Sequence, residues 1–339
     1  MSKWPLIYQE QDHKFEADRC EALVRAAEAG QVRLVALARG GYPGWRLSAR
    51  HLPGLSSVGF WDARGRQNWG LDWHRNEGIE ITYLETGRVA FALEREKWML
   101  NPGDMTITRP WQPHRVGDPH IGVGRLHWLI LDVGVRRPHQ TWQWPSWVVL
   151  TREDVKELTT LLSQNEQPVW QVSESLGACF REISGALESS GANPNISRMT
   201  VYLNELLFLL LEMLRSHHVG LNPGLSSSRR TVELFLEDLC RNPESLAEPW
   251  TLESMAERCD LGVTHFGNLC KKVTNLTPVQ FLTQYRLELA AGMLKSRKNL
   301  TVSEIAFAVG FASSQYFATV FRKHFGCSPS DYREVGGRA

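Results

Sequence analysis

Ile305-Ala-Phe-Ala-Val-Gly-Phe311 repeats Met255-Ala-Glu-Arg-Cys-Asp-Leu261 at an offset of 50 residues, and after one inserted residue Gly262 to Pro278 aligns with Ser313 to Pro329 at an offset of 51. Each copy reads as a short helix, a tight turn and a second helix that ends in basic residues and a Ser/Thr-Pro stop. The starts carry their own signals. Thr301-x-x-Glu304 has the form of a capping box, and Thr251 caps the corresponding helix of the first copy. Thr277-Pro278 and Ser328-Pro329 each pair an N-cap hydroxyl with proline at the first helical position. Helix, turn and helix in this arrangement form the unit that lays its second helix in the DNA major groove. The bland alternative, a solvated face of an ordinary bundle, does not account for a duplication with matched caps.

On the first reading helix Phe266, Leu269, Cys270 and Val273 form an apolar stripe, and Thr264, Gly267, Asn268 and Lys271 fall at i, i+3, i+4 and i+7 on the other face. In the second copy Phe317, Val320 and Phe321 are apolar, with Gln315, Ala318, Thr319 and Arg322 opposite. Small and amide side chains with a base at the far end suit approach to base edges and phosphate anchoring. The expected contact set is Thr264, His265, Gly267, Asn268, Lys271 and Lys272 in the first copy. In the second it is Ser313, Ser314, Gln315, Thr319, Arg322 and Lys323. Between the copies Pro278 to Arg297 reads as one helix with Val279, Leu282, Tyr285, Leu289 and Met293 as its stripe. About 20 residues at 1.5 Å each span roughly 30 Å, close to the ~34 Å of one DNA turn. Charge agrees: residues 229–261 hold four Lys/Arg against eight Asp/Glu, and residues 262–339 hold ten against four.

Ile305-Ala-x-x-Val-Gly-Phe311, Ser313-Ser-Gln-Tyr-Phe317, Phe321-Arg-Lys-x-Phe-Gly326 and Pro329-Ser-Asp-Tyr-Arg333 resemble the signature of the AraC/XylS family of bacterial transcription regulators over about residues 229–335. The resemblance implies a seven-helix DNA-binding domain. The chain departs from the pattern at Gly262, where a serine cap is usual, at Gly267 and Cys270, where larger residues are usual, and at Asn275, which replaces a turn glycine.

The whole chain, 339 residues with a net charge of +1 and 42% hydrophobic content, is long enough for two domains. A polar lead-in holds an expected helix from about Phe15 to Ala29. From about 55 to 135 short runs such as Ile79 to Leu84, Val89 to Leu93, Met105 to Thr108 and Arg125 to Leu131 alternate or stay apolar between Gly, Pro and Asn, as strands of a barrel or sandwich do. From Thr151 to His218 the period is helical. Gly220 to Ser228 reads as a linker rich in Gly, Pro and Ser.

His74-x-Asn76-x-x-x-Glu80-x₆-Gly87, with Gly103-Asp104, Pro110 and Pro113-His114, is similar to the two cupin motifs, departing at Asn76 and in a Pro110-to-His114 spacing one residue short. A cupin barrel is also what many AraC-type regulators carry here as effector module. The fold expected is therefore α+β and multidomain. Residues 1–150 form a cupin-like β-barrel, 151–219 a helical dimerisation or connector region, 220–228 a linker, and 229–339 an all-α domain with two helix-turn-helix motifs. His74, Asn76, Glu80 and His114 are the candidate effector residues. His74, Glu80 and His114, with His127 or Asn76 as a further ligand, match a two-His-one-carboxylate metal set. A metal-free effector pocket and purely structural hydrogen bonds are the other two readings.

Thirteen tryptophans, nine of them between Trp61 and Trp147, offer flat faces to a sugar, although core packing is the commoner use of any one indole. The Gly/Pro-rich segment 40–54, with Trp45 and Arg46, is the candidate lid. No phosphate loop, nucleophile elbow or acid–base pair appears, so no enzyme is expected; a cupin enzyme fused to a DNA-binding domain is the rival class. Six scattered cysteines without a Cys-x-x-Cys pair, and an N-terminus lacking a signal peptide, point to packed thiols in the cytoplasm. The expected partners are double-stranded DNA, a small-molecule effector of carbohydrate type, a second copy of the chain and, for an activator, RNA polymerase, with no membrane. No cofactor is expected unless a divalent metal takes the cupin site. The helix from about Asn195 to His217 carries Leu206, Leu210 and other leucines in excess of one face, which makes it the candidate dimer contact.

Overall fold

The computed structural model describes residues 20–93, 96–191, 193–217 and 219–334 in full, and the backbone alone of 7–10, 13–16 and 335. The chain divides into two compact units. The first contains Lys14–Arg136 and Gln140–Ser226, and the second contains Glu10–His13, Arg137–His139 and the chain from Ser227 onward.

The chain opens with strands β1 (Ile7–Glu10) and β2 (His13–Glu16), and helix α1 (Glu21–Glu28) follows in unit 1. The expected lead-in helix is therefore shorter: its first residues lie in β2, residues 17–19 fall outside the described residues, and Cys20, at φ 50°, breaks the helical path before Glu21. Then come β3 (Val32–Ala38), β4 (Trp45–Arg46), β5 (Leu55–Ala63), β6 (Leu71–His74), β7 (Ile79–Gly87), β8 (Val89–Leu93) and β9 (Glu96–Leu100). β10 (Asp104–Thr108), β11 (His114–Val116) and β12 (Gly124–Leu131) follow. After helix α2 (Arg152–Gln164) a short β13 (Val169–Gln171) joins the edge, followed by helices α3 (Glu174–Ser190) and α4 (Ile196–Ser216).

Seven strands pair in the order β13-β10-β7-β12-β5-β3-β4 and four in the order β6-β11-β8-β9, antiparallel except for β3 with β4. Parity along β7 divides the residues. Ile79, Ile81 and Tyr83 join the core shared with α2, α3 and α4, whereas Leu84 joins a second core with Phe91, Leu100 and Val116 of the smaller sheet. Glu80 and Thr82 share the parity of Leu84 and so face the barrel interior. Thr82 touches Thr106 of β10 there through hydroxyls 2.6 Å apart. On β12 the same rule sends Leu126, Trp128 and Ile130 inward and Leu129 and Leu131 toward the helices.

Two expectations about helix α4 and the linker change. Leu206, Leu210 and Leu211 of α4 are almost fully buried within unit 1, in a core where α4 packs against α3 and α2. The apolar surface α4 leaves exposed is Val201 and Phe208, seven residues apart on one stripe. The first half of the expected linker is tied down: Asn222 N–H donates to Gln164 O at 2.8 Å, and its side-chain amide donates to Glu166 at 2.7 Å. A 3₁₀ turn (Pro223–Ser226) then leads to Ser227, which caps the next helix.

Unit 2 is built of α5 (Ser228–Arg241), α6 (Pro243–Ala247), α7 (Leu252–Arg258), α8 (Val263–Thr274), α9 (Pro278–Ser296), α10 (Val302–Ala308), α11 (Ser314–Phe325) and α12 (Pro329–Val335). The sequence offsets hold residue for residue: α10 starts and stops 50 residues after α7, and α11 starts and stops 51 after α8. Reciprocal capping boxes form at Thr251/Ser254, Thr277/Gln280 and Thr301/Glu304. The reading helices end on left-handed residues, Asn275 at φ 62° and Gly326 at φ 79°; asparagine tolerates what glycine adopts freely.

Helix α9 departs from a single stripe. Phe281 and Leu282 pack with α5, α7 and α8, while Leu287, Ala290, Ala291 and Leu294 pack with α10 and α11. Val279, expected inside, is 55% exposed. A helix serving two cores on different sides loses the simple periodicity of a surface helix.

Candidate functional site

In the barrel, one ligand atom each from His74, Glu80 and His114 lie within 4.8 Å of one another. β6 and β11 set this up, since His74 and His114 are register partners and their rings meet edge-on at 4.1 Å. Nε2 of His114 approaches Glu80 Oε2 at 2.6 Å from the opposite sheet. Nδ1 of His114 lies 2.9 Å from Gln112 O, and Nδ1 of His74 lies 2.6 Å from Asp72 O. A carbonyl can only accept, so each ring carries a proton on Nδ1 and leaves Nε2 for a neighbour. Burial works against charge on Glu80, but the His114 imidazole, then His74 and the Asn76 amide, outweigh it and hold the carboxylate below its ordinary range.

Asn76 takes a positioning role in this cluster. Its Nδ2 donates to Glu80 Oε2 at 2.9 Å, and its Oδ1 lies 3.0 Å from the Tyr42 hydroxyl, so both ends of the amide are engaged. His127 does not belong to the group. It sits on the other face of β12, with Nδ1 2.8 Å from Ser184 Oγ on α3 and Nε2 2.8 Å from Glu85. Its register partner Tyr83 has the parity opposite to Glu80, and a one-residue change of parity moves a side chain to the other face of the sheet.

Sequence reasoning missed three residues beside the cluster. Glu77 is fully buried, its carboxyl meeting the Tyr42 hydroxyl at 2.5 Å and the Ser56 hydroxyl. Burial pushes the Glu77 carboxyl up against the pull of those two donors, and burial beside Glu77 pushes the Tyr42 phenol well up. The available signal was Glu77 next to Asn76 in a glycine-flanked turn; the partners are 35 and 21 residues away along the chain. Tyr42 belongs to the segment expected as a lid. Segment 40–54 is tied in this structure by β4 pairing with β3 and by Arg46 bonding to Gly40 O at 2.6 Å, and just outside it Arg39 bonds to Leu55 O at 3.0 Å.

The tryptophans divide in the same way. Trp61 and Trp128 are buried in the interior core, the latter donating to Ser57 Oγ at 2.9 Å. Trp142, Trp144 and Trp147 pack on the helical side, where Trp144 donates to Thr159 and Trp147 to Pro53 O. Trp73 is 47% exposed.

In unit 2, α8 presents Thr264, His265, Asn268, Lys271 and Lys272 to solvent and buries Phe266 and Cys270. Gly267 is half-buried, and a Cβ there would meet nothing within 4 Å, so packing does not demand glycine. Gly262 caps α8 with no side-chain bond. On α11 Gln315, Thr319, Arg322 and Lys323 are exposed and Ser313 and Ser314 half-buried, with Phe317 and Phe321 beneath. The Ser313 hydroxyl is occupied as the N-cap of α11, accepting from Tyr316 N–H, and donates to Gln315 Oε1 at 2.9 Å. Tyr316, 55% exposed beside Gln315, is a surface aromatic that a polar-stripe reading passes over.

Residues 255–334 match a family described as a helix-turn-helix domain, and residues 66–130 one described as a cupin domain. Three curated relatives illustrate the similarity. The HTH-type transcriptional regulator AlkR of Acinetobacter baylyi is 29% identical over 44% of this chain and 48% of its own length. The RCS-specific HTH-type transcriptional activator RclR of Escherichia coli K12 is 42% identical over 25% of this chain and 30% of its own. The HTH-type transcriptional activator RhaS of Salmonella schwarzengrund is 31% identical over 49% of this chain and 57% of its own. The chain thus spans about half the length, or less, of the curated relatives it matches. The chain carries an AraC-type helix-turn-helix domain after a cupin domain, and the relatives it resembles are AraC-family regulators.

Proposed function

We propose that this protein is a transcription regulator that reads duplex DNA with α8 and α11 and is controlled by a small-molecule effector held in the barrel. The observation that carries the DNA reading is the pair of reading helices, each with polar side chains exposed over a buried apolar stripe and two cations in its last turn: Lys271 and Lys272, then Arg322 and Lys323. α9 has 19 residues, a length of about 28 Å that suits two successive major grooves. Two of the three relatives described are named as activators, which favours activation, with RNA polymerase as the further partner. Selection of duplexes from a random pool by the full chain, followed by footprinting, tests this. The expected footprint covers two adjacent major-groove segments, and protection of one segment alone, or no selected sequence at any salt, defeats it.

For the effector, a sugar or sugar derivative fits an interior that offers Asn76, Glu80 and His114 beside the hydroxyls of Thr82 and Thr106 and the indoles of Trp61 and Trp128. Such a ligand regulates only if it binds two states of the protein unequally. A second reading, a metal-dependent sensor, is favoured by one observation: both imidazoles are oriented through Nδ1 by main-chain carbonyls, as metal-bound histidines are by their outer partners. His74, Glu80 and His114 would hold the ion, supplying two nitrogens and a carboxylate. We read the barrel as a sensor rather than an enzyme. We further propose a homodimer through the Val201 and Phe208 stripe of α4.

A further inference from the structure

The two reading helices belong to separate apolar cores, one around Phe266 and one around Phe317, with α9 running through both. Where the burial of α9 passes from one core to the other stands Arg286, only 9% exposed. Its Nε donates to Leu246 O at 2.8 Å, its Nη2 to Glu248 O, and its Nη1 to Gly310 O at 2.8 Å. Leu246 lies in α6, inside the first core, and Glu248 is its C-cap; Gly310 is in the turn between α10 and α11. These three acceptors are neutral carbonyls. Burial accordingly lowers the guanidinium to about 10, still charged at neutral pH. The fork of a guanidinium can span carbonyls on two elements at once, which a single ammonium point charge cannot.

Gly310 is fitted to this contact. It has φ 89°, and a Cβ there would lie 2.2 Å from Ala247 O and 2.8 Å from Arg286 Cζ. The corresponding residue of the first copy, 50 positions earlier, is Asp260 at φ 55°, a side chain that the same turn accepts there. The two copies therefore differ at the turn, and the difference is the clamp.

We infer that Arg286 is a positioning residue that fixes the second reading helix against the first and thereby sets the spacing between the two DNA elements. This rests on the DNA-reading function proposed above. The probe is the two-element duplex selected by the wild-type full chain, compared with duplexes carrying one or two base pairs more or fewer between the elements. Wild type should discriminate against altered spacers by about tenfold or more. Arg286→Lys, checked for fold by far-ultraviolet circular dichroism, should compress that ratio severalfold while still preferring the selected elements to scrambled ones. Gly310→Ala, which pushes the turn off α6 with Arg286 intact, should do the same. A folded R286K that keeps the wild-type spacing ratio, or that weakens every spacer equally, overturns the inference. If R286K unfolds, G310A decides by the same ratio; if both unfold, the contact is a folding determinant and the inference is wrong. A wild-type chain that selects no duplex defeats the DNA-reading function itself, a separate outcome.

Discussion

Nε2 of His114 and Oε2 of Glu80 lie 2.6 Å apart although their strands, β11 and β7, belong to different sheets of the barrel. The contact joins the two sheets, so a ligand seated among His74, Glu80 and His114 acts on both. A thermal-shift screen of sugars and divalent metals on the full chain should find a stabiliser. A ligand at a hundred times its Kd adds about 2.7 kcal/mol, or roughly 5–10 °C for a domain of this size. Glu80→Gln with His114→Gln should abolish that shift. If the double variant responds as wild type does, the ligand binds elsewhere; if metals alone shift the midpoint, the metal reading replaces the sugar one.

Gln315 and Arg322 lie seven residues apart on the exposed face of α11 and should fail differently. Gln315→Ala should relax preference at one base step, at a cost of about 1–3 kcal/mol for a good bidentate contact. Arg322→Ala should weaken all sequences together and reduce the slope of log affinity against log salt by about one unit. Titrations at two or more salt concentrations separate the two; a loss of base preference in the arginine variant would reverse the assignment.

Acid should destabilise unit 1 through His127. Burial holds this imidazole below its ordinary 6.5 in spite of Glu85 beside it, whereas the unfolded chain takes up the proton near 6.5. Stability is therefore complete above about pH 6.5 and declines as pH falls toward the folded value. Glu85, lowered first by its hydrogen bond with His127, adds a second decline below its ordinary 4.5. Unfolding temperatures between pH 7.5 and 5.5 should fall in wild type and fall less in His127→Asn. Equal slopes in both would remove His127 from the account.

Charge placed on α4 should separate assembly from folding. Val201→Glu with Phe208→Glu should leave the fold intact and yield monomers in sedimentation at micromolar concentration. Leu206→Glu should instead unfold unit 1, because it buries a charge with no partner. A dimer that survives the first pair of changes shows that another surface joins the copies.

The Thr301/Glu304 capping box, the offsets of 50 and 51, and the strand runs of β7, β8, β10 and β12 were all readable from sequence. Each depends on residues within a turn or two along the chain, where backbone hydrogen bonding and side-chain period act locally. His74, Asn76, Glu80 and His114 were legible as a group for a related reason: they sit in short motifs at strand ends. What the tertiary structure alone decided is which neighbour covers each face. The α4 leucines could have met a second copy or the core of their own unit; the core with α3 and α2 took them. His127 looked like a ligand until register placed it with Tyr83, on the side away from Glu80. Tyr42 with Glu77, and Arg286 with Gly310, are separated by 35 and 24 residues. Nothing in the local pattern marks such pairs, because their hydrogen bonds exist only after folding has closed the intervening chain.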